Sequence, residues 1–162
     1  MIETTNPDLW FLIALFPIMM IVAYNDLKYM KIRNWTVLVM IGIFVVMGLL
    51  ILPLDVFAWR WAGLVVALVA GFILSAISMM GAGDAKFMAA AALFIAPEHA
   101  LRVIIMLALL GPVALILHRL AGSLFARKAF PEWESWQRKR EFPWGLPLTA
   151  TLLIYLVHNA FF

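Results

Sequence analysis

The stretch Trp61–Met80, WAGLVVALVAGFILSAISMM, runs without a charge into Gly81-Ala82-Gly83-Asp84 and on into Ala85–Ala96, AKFMAAAALFIA. Both flanks have the composition of membrane helices, so a carboxylate behind two glycines stands between two apolar spans. A carboxylate in such a place is costly, and a functional role is its default reading. The rest of the 162 residues has the same character: 66% are hydrophobic, 13% are charged and the mean hydropathy is +1.02. This is an all-α fold, a polytopic membrane helix bundle forming one integral membrane domain over residues 1–162. A hydrocarbon core about 30 Å thick needs about 20 helical residues. Six apolar runs meet or approach that length, at 9–26, 34–54, 58–80, 84–97, 99–119 and 143–162, with a polar loop at 120–142.

Lys28, Lys31, Arg33, Lys86, Arg119, Arg127, Lys128, Arg138, Lys139 and Arg140 all fall in alternate connections, against Arg60 and Arg102 on the opposite side. Positive charge is retained on the cytoplasmic side, so both termini are expected outside and the 120–142 loop inside. Asp26, which closes the first apolar run in Tyr24-Asn25-Asp26-Leu27-Lys28, and Asp84 then share the cytoplasmic edge. Trp10, Trp59 and Trp61 fit an outer aromatic belt, Trp35 and Trp144 an inner one. Gly63, Ala67, Gly71 and Ser75 recur every four residues, and Ala85, Ala89, Ala92 and Ala96 offer a matching face. Small residues so spaced predict close approach of the third and fourth helices. In the loop, Pro131–Glu141 reads as a short interfacial helix, with Pro131 in its first turn and Trp133 and Trp136 among headgroups.

Several chemistries are excluded. The chain has no cysteine, which removes thiol catalysis, Cys-ligated metal and disulfides. His99, His118 and His158 are scattered without ligand spacing, so neither a metal nor a cofactor is expected. A net charge of +3, confined to loops, does not suggest nucleic acid as a partner. No basic region precedes the first apolar run, so a cleaved signal peptide is not expected.

Two carboxylates at one edge of a bundle can hydrolyse a peptide bond if one is ionised to activate water and the other donates a proton to the carbonyl oxygen and then to the leaving amine. Asp84, in the first turn of its helix, suits the role of base; Asp26, in a last turn, suits that of acid. A tightly coupled pair titrates as a unit, whatever labels are assigned. Gly81 and Gly83 would let an extended substrate lie close and would permit unusual dihedrals. Lys86 fits either an interfacial lysine or a partner for carboxylate or substrate.

Gly81-Ala82-Gly83-Asp84-Ala85-Lys86, together with Asp26 followed by Ile32-Arg33-Asn34 and with Pro143-Trp144-Gly145 before the last helix, resembles the Gly-x-Gly-Asp intramembrane aspartyl proteases, and among them the type IV prepilin peptidase family. That family has Ile-Pro-Asn where Arg33 stands and often Pro-Tyr-Gly where Trp144 stands. The resemblance implies Asp26 and Asp84 as catalytic residues and Gly81, Gly83, Lys86 and Asn34 as substrate-binding ones. It implies removal of a short basic leader from prepilin or pseudopilin substrates at the cytoplasmic face of a bacterial inner membrane, in a pilus or secretion system. Bifunctional members carry a cysteine-bearing insert and also N-methylate the pilin. This chain has neither insert nor cysteine and resembles the short peptidase-only form of Flp (tight-adherence) systems, for which no methyltransferase activity and no S-adenosylmethionine are expected. The alternatives are a preflagellin or archaellin-type peptidase, and a small transporter or channel using both aspartates as an ion relay.

Overall fold

The computed structural model describes residues 6–77, 80–138 and 141–162. These are helical, with no strand among them. The order is α1 (Pro7–Tyr29), α2 (Asn34–Ile51), α3 (Leu54–Ala76), α4 (Ala82–Ala92), a 3-10 turn (Pro97–His99), α5 (Ala100–Ala121), a π-helical stretch (Gly122–Ala126), α6 (Arg127–Ala129), α7 (Glu134–Gln137) and α8 (Gly145–Phe161). Four helical rods are long and apolar enough to cross a membrane: α1, α2, α3 and the continuous run Pro97–Ala129. The protein is accordingly a multi-pass membrane protein. Helix α8 is apolar but shorter, and α4, with 11 residues, rises only about 16 Å.

Local chemistry sets the ends. Asn6 caps α1 by accepting from the Asp8 N–H at 3.0 Å, and Pro7 occupies the first turn, where its missing N–H costs nothing. Met30 ends α1 in the left-handed region, φ 51° and ψ 40°, and donates to the Asp26 carbonyl at 2.9 Å. It is the one non-glycine residue with positive φ among those described. Pro53 separates α2 from α3, which ends the second span at Ile51 rather than at residue 54 and lets α3 begin at Leu54.

Helix α4 is central. Ala85, Phe87, Ala89, Ala90 and Ala91 are all buried, between α3 on one side and α2 and α8 on others. The expected close approach of α3 and α4 is found: a Cβ placed on Gly71 would lie 2.8 Å from the Cβ of Ala85, and one on Gly63 would lie 3.5 Å from the Ala92 carbonyl oxygen. Backbone-to-backbone packing of this kind holds helices together where lipid gives no hydrophobic drive. Helices α3 and α5 form the rim. Only Arg60 and Gly71 of α3, and Gly111 and His118 of α5, are buried, and the remaining apolar surface is what a bilayer would cover.

The large side chains gather away from the aspartates. Phe11 of α1, Phe44 of α2 and Phe94, just beyond α4, pack within 5.1 to 6.1 Å of one another, and Phe57 stacks on Phe44 at 5.1 Å. Trp61 turns inward against Phe44 and Phe57 instead of joining an outer belt; Trp10, Trp59 and Trp35 are exposed as expected.

The loop departs most from expectation. Helix continues from α5 through the π-helical stretch to Ala129, ten residues past the expected end of the fifth span, and the interfacial helix shrinks to the single turn Glu134–Gln137. Pro131 lies in a turn before it. Trp136 is buried, stacked on His118 at 4.2 Å and packed over Gly122, rather than lying among headgroups. Trp133 meets Tyr24 edge-on at 5.8 Å. Lys139 and Arg140, part of the expected basic end, fall outside the described residues.

Candidate active site

Asp26 stands one turn before the end of α1 and Asp84 at the third position of α4. Both line one open cavity of about 470 Å³ at the end of the bundle away from the aromatic core. Met30, Lys31 and Ile32 from the α1–α2 connection, Met80 to Gly83 before and within α4, and Glu141, Phe142 and Trp144 before α8 complete its wall.

Each carboxylate is oriented by one backbone N–H. Asp26 is buried, 4% exposed, and its Oδ2 accepts from the Gly145 N–H at 2.7 Å. Gly145 opens α8, so a helix N-terminus, whose first N–H groups lack partners within the helix, supplies the donor. A Cβ on Gly145 would sit 2.8 Å from Oδ2 and 3.0 Å from Cγ of Asp26, so only glycine lets α8 come this near. Asp84 is half-buried and folds back so that its Oδ2 accepts from the Gly81 N–H at 3.2 Å, which is one half of a capping box.

The glycines do not have the unusual dihedrals expected of them. No described glycine has a positive φ, and Gly81, at φ −69° and ψ 146°, has a conformation open to any residue. What these positions require is space. A Cβ on Gly81 would lie 2.9 Å from the Asp84 carboxylate, and one on Gly83 would lie 3.4 Å from both Cβ and carbonyl oxygen of Ile32. Gly83 thus lets α4 start against the α1–α2 connection, bringing the element that carries Asp84 to the one that follows Asp26.

Lys86 and Asn34 meet each other, Nζ donating to Oδ1 at 3.1 Å, and tie α4 to the start of α2 outside the wall of the cavity. Arg33, in the place of a proline, has φ −79°, inside the range proline itself imposes, so the turn into α2 is kept. Its guanidinium lies 5.7 Å from the Tyr29 ring centre. Trp144 lines the cavity, with its ring against Phe142 at 5.6 Å and close to Gly111 of α5.

Sequence reasoning did not single out Gly145, Met30, Lys31, Glu141 or Phe142 as site residues. For Gly145 a signal existed in Pro143-Trp144-Gly145, but its partner lies 119 residues away and no local pattern announces the contact.

In this helical membrane protein two backbone-oriented carboxylates line one open cavity that admits water, the kind of arrangement that acid–base hydrolysis uses. The chain belongs to the type IV leader peptidase family, whose profile matches residues 13–125, well over half the sequence and including both aspartates. Membership makes it a peptidase. The matched region stops before Gly145, so the contact that orients Asp26 lies outside it. No curated protein and no solved structure matches the chain.

Proposed function

We propose that the protein is a membrane-embedded aspartic endopeptidase that removes the short basic leader from prepilin or pilin-like precursors at the cytoplasmic face of a bacterial inner membrane. Both termini lie outside and six helices cross or enter the bilayer, α4 and α8 being the short ones. The observation that carries the reading is the shared cavity: Asp26 and Asp84, 58 positions apart in sequence, face the same water-accessible space. One ionised carboxylate takes a proton from water as the water attacks the scissile carbonyl. The other protonates the carbonyl oxygen, and a proton passes to the departing amine as the tetrahedral intermediate collapses. Asp84 is assigned as base and Asp26 as acid. Hydrolysis needs nothing beyond the chain's own residues and water, and the peptidase acts without methylating the product.

A substrate with a cytoplasmic leader and a membrane-embedded helix presents its scissile bond at the bilayer boundary, and in this reading the cavity opens at that depth. Gly81, Gly83, Phe142 and Trp144 form the surfaces along which the leader lies. Lys86 and Asn34 support the site from behind through their mutual hydrogen bond.

The test is cleavage of a co-expressed prepilin by wild type, Asp26→Asn and Asp84→Asn, with membrane abundance checked by immunoblot. Processing by wild type and loss in both variants at equal abundance is expected; processing in either variant would remove that residue from the chemistry. The pH–rate profile is expected to have two limbs, one for each carboxyl role.

A further inference from the structure

At the opposite end of the bundle, a second cavity of about 370 Å³ lies between the start of α3 and the segment after α4, lined by Asp55, Val56, Trp59, Arg60, Pro97 and Glu98 among others. Arg60 is its unusual member. It is only 7% exposed, makes a single hydrogen bond, from Nη1 to the Leu93 carbonyl at 3.4 Å, and its Nε is buried with no partner. No carboxylate lies within ion-pair distance of it; among the described residues the ion pairs are those of Arg138 with Glu134 and Glu141. A buried guanidinium with one long hydrogen bond and an unmatched Nε is costly to keep out of water, and a guanidinium in the wall of a cavity suits a phosphate. Two carboxylates, Asp55 and Glu98, are exposed on the same cavity, so a purely anionic ligand would meet net repulsion. A ligand carrying both a phosphate and a primary ammonium satisfies both sets of charges. Trp59, 67% exposed beside the cavity, has the character of a residue at headgroup depth. The volume lies at the lower end of the range of small-molecule sites and so has room for a small headgroup.

We propose that this cavity is a binding site for the headgroup of a zwitterionic aminophospholipid, with its phosphate on Arg60 and its ammonium between Asp55 and Glu98. It is distinct from the peptidase cavity and does not depend on the chemistry assigned there. Bound lipid joins α3 to the segment after α4 at the end where Arg60 already holds the carbonyl of Leu93, the residue just past α4.

The experiment is native mass spectrometry of the full-length protein in mild detergent, titrated with phosphatidylethanolamine, phosphatidylcholine and phosphatidylglycerol of identical acyl chains. The wild type is expected to retain the ethanolamine lipid about tenfold more tightly than either other lipid, a difference of ~1.4 kcal/mol. Asp55→Asn with Glu98→Gln, both exposed and unpaired, should erase the preference for ethanolamine while leaving the protein folded by its thermal transition. Arg60→Gln should lower retention of all three lipids. Equal retention of the three by wild type, or an unchanged ethanolamine preference in the double variant, would overturn the proposal. Should Arg60→Gln not fold, the double variant alone decides.

Discussion

The two ends of this bundle both carry buried polar groups, and they use them in opposite ways. At the aspartate end, each carboxylate accepts one backbone hydrogen bond and faces an open cavity. At the far end, polar side chains knit helices together. Tyr155 accepts from the Ala96 N–H at 3.1 Å and meets His99 Nδ1 at 3.0 Å; Asn6 donates to the Asn159 carbonyl at 2.8 Å; Arg102 reaches Asn159 Oδ1 at 3.4 Å. The aromatic cluster around Phe44 lies in that half as well. The far end holds the helices together through side-chain hydrogen bonds between elements, although Asp8 Oδ1 and Arg60 Nε stay unmatched there; at the aspartate end the two carboxylates are held by backbone N–H groups alone. Left-handed Met30 lies on the wall of the aspartate cavity; such backbone states cost of order 1–3 kcal/mol and persist where surrounding structure holds them.

If the division is right, the same kind of substitution should have different consequences at the two ends. The largest effect on turnover short of removing an aspartate is expected for Gly145→Ala. Its Cβ would press on Asp26 and move the carboxylate, and a displacement of about 1 Å costs on the order of a hundredfold in rate. Cleavage assays run well below the melting temperature, where the variant is folded, should show that loss; normal cleavage would mean that the orientation of Asp26 is unimportant. Gly71→Val is expected to damage both properties, because a larger side chain pushes α3 off Ala85, the residue next to Asp84. Overpacking of this kind costs about 1–3 kcal/mol, readable as a lowered thermal transition.

Tyr155→Phe should do the converse of Gly145→Ala. It leaves the Ala96 N–H without its acceptor and costs about 1–3 kcal/mol, yet cleavage well below the melting temperature should be retained. Loss of cleavage in a folded Tyr155→Phe protein would break the separation of the two ends. The smallest effect is expected for Lys86→Ala. Lys86 is exposed and its bond to Asn34 is outside the cavity, so stability should change by no more than about 0.5 kcal/mol. A strong loss of cleavage there would return Lys86 to direct contact with substrate.

What was legible in the sequence followed from periodicity and composition. Apolar length identified the helices, the four-residue spacing of Gly63, Ala67, Gly71 and Ser75 anticipated the α3–α4 contact, and the ends of two apolar runs located Asp26 and Asp84. What was not legible depends on distant partners. Gly122 and the basic residues after it read as a loop, but packing of Trp136 over Gly122 accompanies a helix that runs on through a π-helical stretch. Arg60 looked like a minority charge on the outer side, and only its burial against Leu93 makes it unusual. The orienting role of Gly145 needed α1 and α8 to be seen side by side.

The most direct test of a paired Asp26 and Asp84 is the residual cleavage rate of purified Asp26→Asn, Asp84→Asn and the double variant on one prepilin in vesicles. Groups that act as a unit are strongly non-additive, so the double variant should cleave no more slowly than either single one, all three far below wild type. Losses that multiply in the double variant, or substantial cleavage by either single variant, would contradict a shared catalytic pair.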